Sequence, residues 1–361
     1  MSESRYAKPL FLRFEALPII VVFALILGLF MFTAPSVFLQ PNIYTTLLST
    51  APPLILLAIG LTFVIGAGEI DLSFPSVIAF SGFVFAVLFK EYQLGWFAVL
   101  AALGSGLLVG YLNGLLIARI GIPSFIATLG TQFFWAGMAT VLSGGKSYAL
   151  RGAEESSVWA WIVGRFGDPN SFEWYNQISI QAVWTALAVI GLWFVLNRHR
   201  FGEHVLFMGD SNEVSRVVGI DVAKEKIRLF MLMGGLASVA AMMLTLENKN
   251  YFGNQGQGYL LTAIAAVLIG GTSIFGGRAT IVGSVFGCFI IWILEAGLVA
   301  SGLTGAWVRT VQGLIFLISI VCYLFMEEPH RRRAFLARFR SSHDTGGTTR
   351  PGSPTPGRVG Q

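Results

Sequence analysis

Residues Asn197 to Arg228 read NRHRFGEHVLFMGDSNEVSRVVGIDVAKEKIR, a polar run set between two segments too apolar to face water. Asp210, Ser211 and Asn212 are each suited to cap a helix start. Val214, Val217 and Val218 then fall on one helical face, and Gly219 supplies a natural stop. The expectation is a short folded helix in the middle of a membrane-like chain, either lying on the bilayer surface or offered to another protein.

The surroundings make the membrane reading unavoidable. The chain has 361 residues, 55% of them hydrophobic and 12% charged, with mean hydropathy +0.71. That is too few charged groups to clothe a soluble surface of this size. A bilayer core needs about 20 apolar residues per helix, and ten stretches approach that length: Leu17 to Leu39, Ile43 to Ile65, Pro75 to Phe89, Leu94 to Ile117, Pro123 to Leu142, Ile178 to Leu196, Leu229 to Leu246, Leu261 to Ile269 running into a glycine-rich stretch, Ile281 to Val299, and Trp307 to Phe325. The expected fold class is all-α, a polytopic transmembrane bundle of about ten helices with both termini cytoplasmic.

On that topology residues 1–16 form a retained cytoplasmic tail and 17–326 the membrane domain. Within it 197–228 is an inner loop and 145–177 an outer one, the latter with Trp159, Trp161, Trp174 and Tyr175 for an interfacial helix or a lid. Residues 327–361 are a tail first basic, suited to anionic lipid, then disordered by composition. Lysine and arginine favour the proposed inner side three to one, as the positive-inside rule asks. The net charge of +5 therefore records orientation and not nucleic-acid binding, for which no basic patch interleaved with aromatics exists. Cys288 and Cys322 both sit in apolar stretches and read as small core residues.

The chain carries no engine of its own. Gly145, Lys146 and Ser147 imitate the end of a phosphate-binding loop, but Thr140 stands where its first glycine belongs. No His, Asp or Glu relay of the kind proton-coupled carriers use runs through the spans, and no clustered set has catalytic or metal-binding spacing. Energy for uphill transport would have to come from another subunit.

Some helix breakers and polar residues are oddly placed. Pro52 and Pro53 lie inside the second span and force a kink or break, which is tolerated at membrane depth where backbone lines a cavity or is buried in protein. That puts the second span at the centre of the bundle, beside a pathway or as a kinked structural helix. Thr62, Ser81, Asn113, Thr128, Gln132 and Glu295 are polar groups within spans, each able to serve as interhelical glue. Asn113 and Gln132 are the candidates for lining a pathway. Gly270, Gly271, Gly276 and Gly277 leave a turn bare of side chains, with Arg278 beyond it, and Gly283 with Gly287 offers a small-xxx-small packing face.

Four ordered stretches resemble one family. FGEHVLFMGDSNEVSRVVGIDVAKEKIR is similar to the cytoplasmic loop of the ribose- and galactose-type sugar permeases of bacterial ABC importers. GAGEIDLSFPSVIAFSG at Gly66 to Gly82, IPSFIATLGT at Ile122 to Thr131 and AIAAVLIGGTSIFGGRATIVGSVFG at Ala263 to Gly287 agree as well. The resemblance implies a coupling element in which Asp210, Glu213, Arg216 and Gly219 dock into a cytoplasmic ABC ATPase. It also implies a second permease copy, identical or paralogous, and a periplasmic sugar-binding protein, in a bacterial inner membrane. No cofactor is implied for this chain, ATP being held by the ATPase. Permeases for nucleosides or branched-chain amino acids share the architecture and stay open as alternatives, as does an ion-coupled carrier. Glu69 departs from the family, which usually has Gly there, as do Phe74 and Pro75. With Asp71, Glu69 puts two carboxylates near the inner edge, either for an unusual substrate or to pair with a cation such as Arg119 or Arg278.

Overall fold

The computed structural model describes residues 17–166 and 178–302, with scattered residues between 307 and 320. The tails at 1–16 and 327–361, Trp174, Tyr175, Cys322 and most of the tenth expected span lie outside the described residues.

Most of the expected spans are recovered as helices, with shifted ends and two breaks. They are α1 (Leu17–Thr33) with the short α2 (Pro35–Phe38), α3 (Pro41–Thr50), α4 (Pro52–Gly66), α5 (Phe74–Lys90), α6 (Trp96–Leu115), α7 (Ser124–Ser143), α9 (Ile180–Arg198), α12 (Val222–Glu247), α13 (Tyr259–Ile269) and α14 (Ile281–Ala300). Three short helices, α8 (Ser157–Ile162), α10 (Arg200–Asp210) and α11 (Asn212–Val217), lie in the connections. Five helices are long and apolar enough to cross a bilayer as single rods, and the α3–α4 pair makes a sixth span bent by 50°. Three more apolar helices, α1, α5 and α13, are shorter. The eighth expected span is a short helix that ends at Ile269, and Gly270 to Gly277 form the turn expected after it.

The bend between α3 and α4 falls at Ala51. Pro52 and Pro53 occupy the first turn of α4, where an N–H has no intrahelical acceptor, and the Ser49 carbonyl ahead of them accepts from Gln181 Nε2. Every residue of α4 is buried, so this helix is the axis on which α9, α10, α12, α13 and α14 pack.

Close packing in an apolar solvent depends on bare backbone. Gly106, Gly110 and Gly114 form one stripe of α6, against which α12 lies so near that a methyl group at Gly110 would strike the Phe230 carbonyl oxygen. On α14, Gly283 and Gly287 lie against the Gly270 and Ala266 carbonyls, so this small-residue face packs on α13 as expected. Thr62 and Ser284 share a hydrogen bond of 2.7 Å across α4 and α14, and Ser105 donates to Ser81 at 2.9 Å.

The chain is all but wholly helical, as expected, with one short ribbon among the described residues. Tyr148–Ala149 (β1) pairs antiparallel with Asn250–Tyr251 (β2), tying the connections after α7 and after α12 together at one end of the bundle. Lys249–Glu154 (3.3 Å) and Arg165–Glu247 (3.1 Å) reinforce that end.

Candidate functional site

The polar segment 197–228 lies at the bundle end opposite the ribbon. His199 caps α10 by accepting from Phe201 N–H (3.1 Å), and Gly202, Val205 and Met208 bury its inner face. Ser211 is extended and breaks the helix. Its hydroxyl accepts from Val214 N–H at 3.3 Å and so caps α11, the residue among the three candidates that takes the role. Gly219 ends the turn at φ +87°, a conformation that disfavours other residues. Asp221 then caps α12 through Lys224 N–H at 3.0 Å.

What α11 turns outward decides what it can do. Glu213, Val214, Arg216, Val217 and Val218 are all exposed, Val217 at 86%, while Ser215 is buried. A short helix bearing three exposed valines between a carboxylate and a guanidinium, on an otherwise polar segment, has the make-up of a protein-docking surface.

Behind it the attachment is rigid. Gly209, near the end of α10, lies directly on the Gly66 carbonyl at the end of α4 and on the Gly276–Gly277 turn, and Gly277 N–H donates to Gly66 O at 3.0 Å. Gly276 and Gly277 both have positive φ, and the turn closes through Ser273 N–H to Arg278 O at 2.9 Å. Asp210 covers Gly277. Three glycine sites far apart in sequence thus converge on one backbone contact. Gly270, the start of the same run, meets Gly283 of α14, and Gly271 also takes a positive φ.

A second clasp joins α10 to α12: His204 Nδ1 lies 3.0 Å from Glu225, which also pairs with Arg228 at 3.1 Å. Glu69 pairs with Lys226 of α12, so the carboxylate does meet a cation, though neither of the two arginines foreseen for it. Both side chains are largely buried. Removing one partner leaves a buried charge unmatched, at a cost of about 3–5 kcal/mol. Lys226→Ala is therefore expected to lower the unfolding temperature of the detergent-purified chain markedly. The double replacement Glu69→Met with Lys226→Met should restore most of it; no recovery would show that the pair does more than neutralise itself.

The break between α4 and α5 is held by one face of α7. Ile70, Leu72 and Ser76 N–H donate in turn to Ser124 Oγ (3.1 Å), Thr128 Oγ1 (3.0 Å) and Gln132 Oε1 (3.0 Å), residues one helical turn apart. Asp71 Oδ1 accepts from Ser73 N–H and Oγ–H, and Asn113 Nδ2 donates to Ser73 Oγ at 2.7 Å. Burial of Asp71 pushes its carboxyl above the usual range, with the Ser73 bonds opposing. Asn113 and Gln132 are thus both engaged in holding this break, far along the bundle from the Pro52 bend. The set Ser124, Thr128 and Gln132 was only partly foreseen; its signal is the i, i+4, i+8 spacing beside a non-helical stretch.

Residues 43–320 match the family described as branched-chain amino acid transport system / permease component. The chain is 31% identical over 291 residues to the ribose import permease protein of Escherichia coli strain K12, covering 80% of this chain and 87% of that one. It is 32% identical over 264 residues to the fructose import permease protein of Rhizobium meliloti, covering 72% and 71%. To the autoinducer 2 import system permease protein of Yersinia pestis strain Pestoides F it is 30% identical over 280 residues, covering 76% and 75%. No solved structure matches the chain. With the glycine-locked α10–α11 element, the breaks at Pro52 and Gly66, and a match running through all the helices from α3 to α14, the chain belongs to this family of importer permeases.

Proposed function

We propose that this chain is the membrane subunit of a bacterial ATP-binding cassette importer for a monosaccharide or related polyol. Two such chains, identical or paralogous, sit in the inner membrane with ten spans each and both termini inside. ATPase subunits engage the 197–228 end, and a periplasmic sugar-binding protein delivers substrate at the ribbon end. The chain itself makes and breaks no bond, and ATP is held by its partner.

The observation that carries this reading is α11: an exposed valine patch flanked by Glu213 and Arg216, joined without slack to the central helix. ATP-driven closure of the motor displaces α11. Because Gly209 rests on Gly66 and Gly277 with no side chain between, the displacement passes through α10 into α4 and on to the bend at Pro52. Rigid elements pivoting at a bend switch access from one side to the other. The glycine-to-glycine contact serves as the transmission.

A second reading, a branched-chain amino acid permease, takes its support from the family description. Sugars are preferred because the similar proteins include import permeases for ribose and for fructose. In liposomes holding the chain with its ATPase, ATP and the binding protein, uptake of a radiolabelled pentose or hexose is expected, and none from the chain alone under an ion gradient. Uptake of leucine but no sugar would overturn the substrate class; unaided transport would overturn the motor.

A further inference from the structure

Where α3 meets α4, the 50° bend leaves space on the side of α9 and α14. The cavity there has a volume of about 270 Å³. Its walls come from both limbs of the bend, Leu48 before it and Pro52 and Ile55 after it, with Thr185 and Ala186 of α9 and Phe289 of α14 completing them. Ile190, which also lines it, is 64% exposed on the outer face of α9, so the mouth opens on lipid. An apolar cavity of about 150 Å³ is enough to stay dry and admit benzene; this one has room for a longer molecule.

Two polar groups interrupt the apolar wall. Thr62, Thr128 and Thr245 each donate their hydroxyl proton to the carbonyl four residues back. Thr185 does not: it is 4% exposed, and among the described residues its buried hydroxyl has no partner. The second group is the Leu48 carbonyl, to which Pro52 offers no amide proton. The next carbonyl, that of Ser49, loses its own amide partner to Pro53 but is served by Gln181 Nε2 at 2.6 Å. A polar group buried in an apolar cavity without a hydrogen bond is costly, and a ligand that supplies the missing bond removes that cost.

The complement is a slender, neutral, mostly hydrocarbon molecule with one hydroxyl, which donates to the Leu48 carbonyl and accepts from Thr185. A sugar would bring several hydroxyls to walls that answer two, and an ion would find no opposite charge among the described residues that line the cavity. We propose that this cavity is a binding site for medium-chain primary alcohols and that an occupant, wedged between the two limbs of the bend and α9, holds their angle and slows uptake. The binding stands apart from the importer reading; the slowing rests on it, because there the bend must pivot.

The test uses the full-length chain in phospholipid vesicles and two photoreactive probes of equal length, an octan-1-ol carrying a diazirine and the corresponding octane without the hydroxyl. The alcohol is expected to label the α9 and α14 walls saturably, with protection by excess octan-1-ol. The hydrocarbon should label them about tenfold less at equal concentration in the membrane, the loss of one good hydrogen bond. Thr185→Val should bring the alcohol down to the level of the hydrocarbon, and Ala186→Phe, which sets a ring in the mouth, should remove labelling by both. Labelling spread over the lipid-facing helices without saturation, or equal labelling by the two probes in the wild type, overturns the site. In vesicles holding the chain with its ATPase, ATP and the binding protein, octan-1-ol should slow uptake over the concentrations that fill the cavity, and less so in Thr185→Val. Equal slowing in both, or none with the cavity filled, overturns the effect on the bend. No uptake before alcohol is added overturns the importer reading and the slowing with it, while the binding site is judged by labelling alone.

Discussion

Replacing Val217 by Asp is expected to abolish ATP-driven uptake while the chain remains folded and inserted. Val217 is 86% exposed, so a carboxylate there meets water and costs the isolated fold almost nothing. In a docked interface the same carboxylate is buried without a partner, a penalty large enough to release a binding partner. Glu213→Arg acts on the neighbouring position by reversing the sign of an exposed charge at a docking surface, and should give the same loss. The checks are uptake in vesicles and co-purification of the ATPase. Both variants keeping their ATPase and their uptake would remove α11 from the coupling pathway.

Gly209→Val tests the other half of the mechanism. Its Cβ would collide with the Gly66 carbonyl oxygen and the Gly277 amide nitrogen, both backbone atoms that no rotamer change can move. Overpacking of this kind costs about 1–3 kcal/mol, and more where backbone must move, and here it is concentrated where α10 meets α4. Uptake should disappear, with protease cleavage appearing between α9 and α12 while the spans stay inserted. Gly277→Ala is a graded comparison. It faces the movable Asp210 carboxylate, so it mainly incurs about 1 kcal/mol for a left-handed backbone and should slow uptake without ending it. Full uptake by Gly209→Val would mean that the glycine contact transmits nothing.

Parts of this architecture are legible in local chemistry. A cap followed by a valine face and a glycine needs only six or seven consecutive residues, and the α11 turn forms accordingly between Ser211 and Gly219. Two adjacent prolines cannot continue a helix, and the 50° bend at Ala51 follows. The Gly283–Gly287 face is likewise a spacing signal. The stretch GSGLLVGYLNG carries a stronger one in Gly106, Gly110 and Gly114, where α12 seats itself.

Other features depend on residues distant in the chain. Glu69 marks itself only as a departure from its family; that Lys226 answers it follows from α12 beginning beneath the α4–α5 break. Asn113 and Gln132 look like isolated polar groups in apolar spans, and only the path of residues 70–76 between α6 and α7 shows the Ser73 hydroxyl and the Ser76 N–H that they hold.

Sequence by itself determined the solvent this protein lives in, where its helices start and break, and that α11 forms, because bilayer partitioning, proline and caps act within a few residues of one another. Tertiary structure alone decided that Gly66, Gly209 and Gly277 meet and that Lys226 neutralises Glu69. Those depend on which backbones approach closely, and a bare glycine records the permission for such an approach without naming the partner.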